Sequence, residues 1–183
     1  MKSKLHMQAH MGYQLERPPS LILPFHPKGV WQLQKLDRNG NVIETIKFNN
    51  GIVHAGVQHA YDCVFHAGAQ ITLWYIGLID NSGYSALSNT DTMASHPGWN
   101  EFTTYSEATR VEWDTAATSG RTITSVTPAD FSINGSGTVR GGFLVSNSEK
   151  GGTTGVLWST GVFANPPTVA NGETLKITYS LTG

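Results

Sequence analysis

The alternating run near the C-terminus constrains the fold more than any other stretch. Leu175, Ile177, Tyr179 and Leu181 interleave with Lys176, Thr178 and Ser180, a period of two that places one set against a core and the other in water. This predicts a closing strand, needed to complete a sheet. Just before it, Asn171-Gly172 is a tight-turn dipeptide, and Pro166-Pro167 ends the strand expected over residues 157–163. The rest of the chain repeats the theme. Trp31 and Leu33 alternate with Gln32 and Gln34, a turn follows at residues 37–41, and Val42, Ile43, Ile46 and Phe48 return, which predicts a hairpin. Short runs at 110–113, 121–126, 130–133, 138–145 and 155–158 are each bounded by Gly, Pro, Asn or Ser, and Gly135-Ser136-Gly137 reads as a hairpin turn. Many short strands at this spacing predict a mainly β chain, an antiparallel β-sandwich or jelly roll.

Two stretches break the pattern. Asn49-Asn50-Gly51 interrupts the strands, and Ile52, Val53, Val57, Ala60, Tyr61, Val64 and Phe65 recur at helical spacing, so residues 52–66 are expected to form the one helix, ended by Gly68. Its apolar face suits either a core or an oligomer seam. Residues 71–79 are apolar on both sides, the mark of a strand central in its sheet. The second break is residues 1–28, which hold Pro18-Pro19, Pro24 and Pro27 and show no consistent period. Each proline fixes its own dihedral and pushes the preceding residue away from helix. An extended N-terminal arm is expected there, with the domain proper over residues 29–183. Leu21-Ile22-Leu23-Pro24-Phe25 is too apolar for a free tail, so the arm either packs on its own domain or docks on a neighbouring subunit.

Composition narrows the function. Only 14% of the residues are charged, with a formal net charge of −1, which gives a nucleic-acid partner no electrostatic support. Cys63 is the one cysteine, which excludes an internal disulfide and a thiolate zinc cluster. The first twenty residues carry no apolar run of signal or membrane length, so a chain made and kept in the cytosol is the expectation. No cofactor is expected.

The candidate constellations are sparse. His59, Cys63 and His66 fall on one helix face at metal-ligand spacing, but no fourth ligand is evident, and a part-buried cysteine among surface histidines is the simpler account. Ser95-His96 beside Asp91 is the nearest approach to a nucleophile with a base. It lies in a long irregular loop over residues 80–105, where Asp91-Thr92-Met93-Ala94 is expected to form a short helical turn, and hydrogen bonding within the loop explains the cluster better than catalysis. Glu101, Glu107, Glu112 and Asp114 offer carboxylates of unknown separation. Of the aromatics, Trp74, Tyr75, Trp113 and Trp158 are expected in the core, while Trp99, together with Tyr105, is the candidate for stacking on a sugar.

The segment YIGLIDNSGYSALSNTDTMASHPGWNEFTTYSEATRVEW, from Tyr75 to Trp113, resembles a run found in small structural proteins of tailed bacteriophages, with its Asp-Thr-Met-Ala-Ser-His loop and Gly-Trp-x-Glu. Asn49-Asn50-Gly51, the run from Val139 to Val145 and that from Gly172 to Ile177 are similar to the same proteins. The resemblance implies a non-enzymatic virion component, a capsid cement or decoration protein of jelly-roll type that bridges capsid subunits as a trimer. Its partner would be the major capsid protein, with neither nucleic acid nor membrane involved. The alternatives are a tail- or neck-associated virion protein and a carbohydrate-binding module of a tail fibre. On this reading the arm and the long loop supply the partner contacts, through Leu15, Leu21, Ile22, Leu23, Phe25, Met93, His96 and Trp99.

Overall fold

A computed structural model describes residues 27–183 of the chain, and within them the fold is mainly β. The strands are β1 (Lys28–Leu36), β2 (Val42–Asn49), β3 (Gly51–Ile52), β4 (Tyr75–Asp80), β5 (Glu101–Phe102), β6 (Val111–Glu112), β7 (Thr122–Thr124), β8 (Ala129–Ser132), β9 (Gly137–Val145), β10 (Leu157–Val162), β11 (Thr168–Val169) and β12 (Thr174–Thr182), with the helix α1 (His54–Phe65) between β3 and β4. They form two antiparallel sheets. The first runs β2-β1-β12-β7, with β8 also on β12; the second runs β3-β10-β9-β4-β5, with β11 on β9 and β6 on β4.

The expected closing strand is central. β12 pairs along its whole length with β1, from Lys28↔Thr182 to Leu36↔Thr174, and its other edge takes β8 and then β7. Leu175, Ile177 and Tyr179 are fully buried, as their period requires. The first hairpin also forms as expected, with Trp31 opposite Phe48 and Leu33 opposite Ile46. The inner faces of the sheets meet in one core: Trp31, Leu33, Phe131, Leu175 and Ile177 from the first sheet pack with Ile76, Leu78, Val139 and Leu144 from the second. This is a β-sandwich.

The second sheet is covered on its other face too. Ile79, Phe143, Val145 and Leu157 alternate with the core residues and pack with Val53, Met93 and Trp99. The long loop between β4 and β5, together with the start of α1, is therefore a third layer, and this explains why β4 is apolar on both sides.

Several boundaries differ from expectation, each for a local reason. Residues 71–74 are not strand: Tyr75 already faces Val145, the last residue of β9, so the pairing with β9 ends there. The helix starts at His54, since Gly51 and Ile52 are hydrogen-bonded to β10. It ends through Ala67 in the left-handed region (φ 52°), with the Gly68 N–H donating to Asp62 O at 2.9 Å, so alanine rather than Gly68 takes the position that glycine usually fills. Where a helical turn over residues 91–94 was expected, residues 92–95 form a tight turn closed by a Thr92↔Ser95 bridge. The turn at 135–137 carries the chain from the first sheet to the second and is no hairpin. Among the described residues, no helix is long and apolar enough to cross a membrane.

Candidate functional site

The long loop is built around Trp99. Its indole N–H donates to Asp91 Oδ2 at 2.9 Å, and the same oxygen accepts the Ser88 amide at 2.9 Å. His96 stacks on the indole with ring centroids 3.9 Å apart. His96 Nδ1 lies 2.9 Å from the Trp99 carbonyl oxygen; a carbonyl can only accept, so Nδ1 carries the proton. The cluster expected to be the nearest to catalytic chemistry is thus a clamp on a core residue. The Ser95 amide donates to the carbonyl and hydroxyl oxygens of Thr92.

This placement corrects two of the expected contact residues. Met93 and Trp99 are each 1% exposed, because the outer face of the second sheet needs their apolar bulk, and they present no surface to a partner. His96 is half-buried against Trp99. The sugar-stacking role drawn for Trp99 and Tyr105 lacks a platform as well: both rings are buried, and Tyr105 packs edge-on against Phe131. Leu15, Leu21, Ile22, Leu23 and Phe25 lie outside the described residues.

The acidic side chains have structural work. Glu101 receives Arg110 Nε and Nη2 at 3.0 and 2.8 Å, and the guanidinium also donates to the carbonyls of Asn147 and Gly152 at 2.9 and 2.7 Å. Glu107 accepts the Ser132 amide, and Asp114 accepts the Thr127 hydroxyl. Lys150 donates to the carbonyls of Tyr105 and Glu107 and sits 4.3 Å over the Tyr105 ring. Among the described residues, no group of three or more His, Cys, Asp and Glu is arranged to hold a metal; His59 Nε2 approaches Cys63 Sγ at 3.5 Å.

What stands out as a binding surface is apolar. The apolar face of the helix suited either a core or an oligomer seam; Tyr61, Val64 and Phe65 are 51%, 71% and 73% exposed, and Gly56 is the one buried residue of α1. The helix comes closest to β10 through this glycine, with the Val53 N–H donating to the Trp158 carbonyl at 3.0 Å, and Val57 and Ala60 are only half-buried. Beside it a groove of about 370 Å³ opens between the helix and the end of the first sheet, walled by Ile52, Val57, Tyr61, Ile123, Trp158 and Leu181, with Pro27 at its rim. A second hollow of about 380 Å³ shares Ile123, Trp158 and Leu181 and continues towards Trp74 and Trp113. The periodicity of residues 52–66 located this apolar face, but nothing in it distinguished a face turned inward from one turned outward.

No protein family, curated protein or solved structure matches this chain.

Proposed function

We propose that the chain is a non-enzymatic structural protein of a tailed-phage particle, a cement or decoration protein that binds the outer shell and bridges subunits of the major capsid protein as a trimer. The observation that carries an interaction role is the outer face of α1, where Tyr61, Val64 and Phe65 are exposed together. Clustered large apolar groups so placed favour contact with another protein. The particle and the partner are taken from the resemblance of residues 75–113 to phage structural proteins. The jelly-roll form is in keeping with the nested pairing of β1 with β12, β3 with β10 and β4 with β9.

The test is co-expression with the major capsid protein of the genome that encodes the chain, followed by gradient sedimentation. Comigration with shells, lost in the Val64→Asp, Phe65→Asp double variant while its circular dichroism is unchanged, supports the reading. Absence from shells but presence on tails or necks would move the protein to those structures, and absence from all particles would overturn it. Light scattering on the free chain adds the oligomeric state, with a trimer at about three times 19.8 kDa.

A further inference from the structure

The groove beside α1 lies where the described chain begins. Within β1, Gly29, Trp31 and Leu33 face inward while Lys28 and Val30 are exposed. Pro27 shares the inward parity and is part of the groove's rim. Continuing the same parity back through the sequence gives Phe25, Leu23 and Leu21, all large and apolar, whereas the other parity gives His26, Pro24, Ile22 and Ser20. If the chain continued back from β1 in the same extended form, Phe25, Leu23 and Leu21 would fall on the side that opens into the groove. The reach is sufficient, since an extended chain at about 3.3 Å per residue can carry Phe25 up to about 7 Å from Pro27 and Leu21 up to about 20 Å. The groove matches in chemistry: its walls are aliphatic and aromatic, and Arg121 is the one charged side chain among the described residues lining it.

We propose that the groove between α1 and the end of the first sheet is the docking site for the apolar segment Leu21–Phe25 of the same chain, with Phe25 and Leu23 against Val57, Ile123, Trp158 and Leu181. The tether commits the site to this occupant, because a segment joined two residues from the rim is present there at an effective concentration of order millimolar. The docked segment would cover Trp158 and Leu181 and tie the helix to the first sheet, which it otherwise meets only across the groove. This inference goes beyond the shell-binding role and does not depend on it.

The test uses the full chain carrying Cys63→Ser with two cysteine pairs. Phe25→Cys with Val57→Cys joins the segment to the groove, while Phe25→Cys with Ile43→Cys is the control, since Ile43 lies near the far end of the first hairpin. Under mild oxidation at about 10 µM protein, the groove pair is expected to form an intrachain disulfide roughly 100-fold faster than any interchain one, independent of concentration, and the control pair none. Interchain dimers from the groove pair would assign the groove to a second copy's segment, and no disulfide, or equal rates for both pairs, would overturn the docking. If a cysteine variant does not fold, Leu23→Ser, Phe25→Ser in the full chain gives an independent reading. Dye binding to exposed apolar surface should rise severalfold with the far-ultraviolet circular dichroism unchanged, and an unchanged dye signal would overturn the proposal.

Discussion

The indole N–H of Trp99 ends on Asp91 Oδ2 at 2.9 Å, eight residues back along the same loop, in a site where both side chains are buried. One carboxylate oxygen thereby fixes the Ser88 amide and the tryptophan that closes the outer core of the second sheet. Hydrogen bonds to a buried charge are among the stronger single contributions. Asp91→Ala should cost about 2–4 kcal/mol, and Trp99→Phe, which keeps a ring but leaves the carboxylate one donor short, about 1–3 kcal/mol. Urea unfolding of both variants checks this; midpoints within error of the parent would mean that the loop is not held by this pair.

The contrast between β12 and the loop marks what could be read in advance. Leu175, Ile177 and Tyr179 declare their partner face by alternation alone, because a half-buried strand writes its environment into a period of two. Trp99 has no such signature. Its neighbours are polar, its backbone is irregular, and its burial depends on Ile79, Phe143 and Leu157, which are distant in sequence. The same limit applied to α1: a stripe of Val57, Tyr61 and Val64 has one pattern whether it meets a core or water, and only the close approach of Gly56 to β10 decided which. The pairing of Arg110 with Glu101 was out of reach for a related reason, since charge spacing in an irregular segment carries no geometry.

The helix should respond to glycine and alanine against their usual ranking. Alanine ordinarily favours a helix over glycine by about 1 kcal/mol, but a Cβ at Gly56 would lie 2.5 Å from the Trp158 carbonyl oxygen, a backbone atom that cannot swing away. Gly56→Ala is therefore expected to destabilise by about 1–3 kcal/mol through overpacking. Ala67, left-handed at φ 52°, should behave oppositely, with Ala67→Gly raising stability by up to about 1 kcal/mol. Thermal melts of the two variants would move in opposite directions; a shift of both towards higher stability would show that α1 does not rest on β10 as described.

Arg110 is 1% exposed and ties Glu101 to the 147–152 turn through four hydrogen bonds, with its guanidinium carbon 5.2 Å from the Phe143 ring centre. Removing one partner strands a buried carboxylate, whereas removing both does not. Arg110→Met should cost about 3–5 kcal/mol, and adding Glu101→Leu should recover a large part of it. A double variant no more stable than the single one, measured by chemical unfolding at neutral pH, would show that the loss comes from the unpaired carbonyls of Asn147 and Gly152 rather than from the stranded Glu101.

Tyr179 supplies a pH dependence whose sign can be worked out. Burial in the sandwich core pushes its phenol above the ordinary value of 10.0, against the opposing hydrogen bonds of Ser159 and Asn50, and burial drives Tyr105 the same way. Below about pH 10 both folded and unfolded chains keep these protons, so neither group changes stability with pH. Above it the unfolded chain ionises first while the native phenols remain protonated. The native state then binds more protons, and stability falls as pH rises. Tyr179→Phe should lose about 1–2 kcal/mol at neutral pH, because Asn50 Nδ2 donates to the phenol oxygen at 2.9 Å and would be left without that acceptor. In return the alkaline decline should be shallower, with the gap between variant and parent narrowing from about pH 10 upward. Urea unfolding at pH 8 and pH 11 measures both effects, and parallel losses in the two proteins would show that the Tyr179 phenol ionises as readily in the fold as in the unfolded chain.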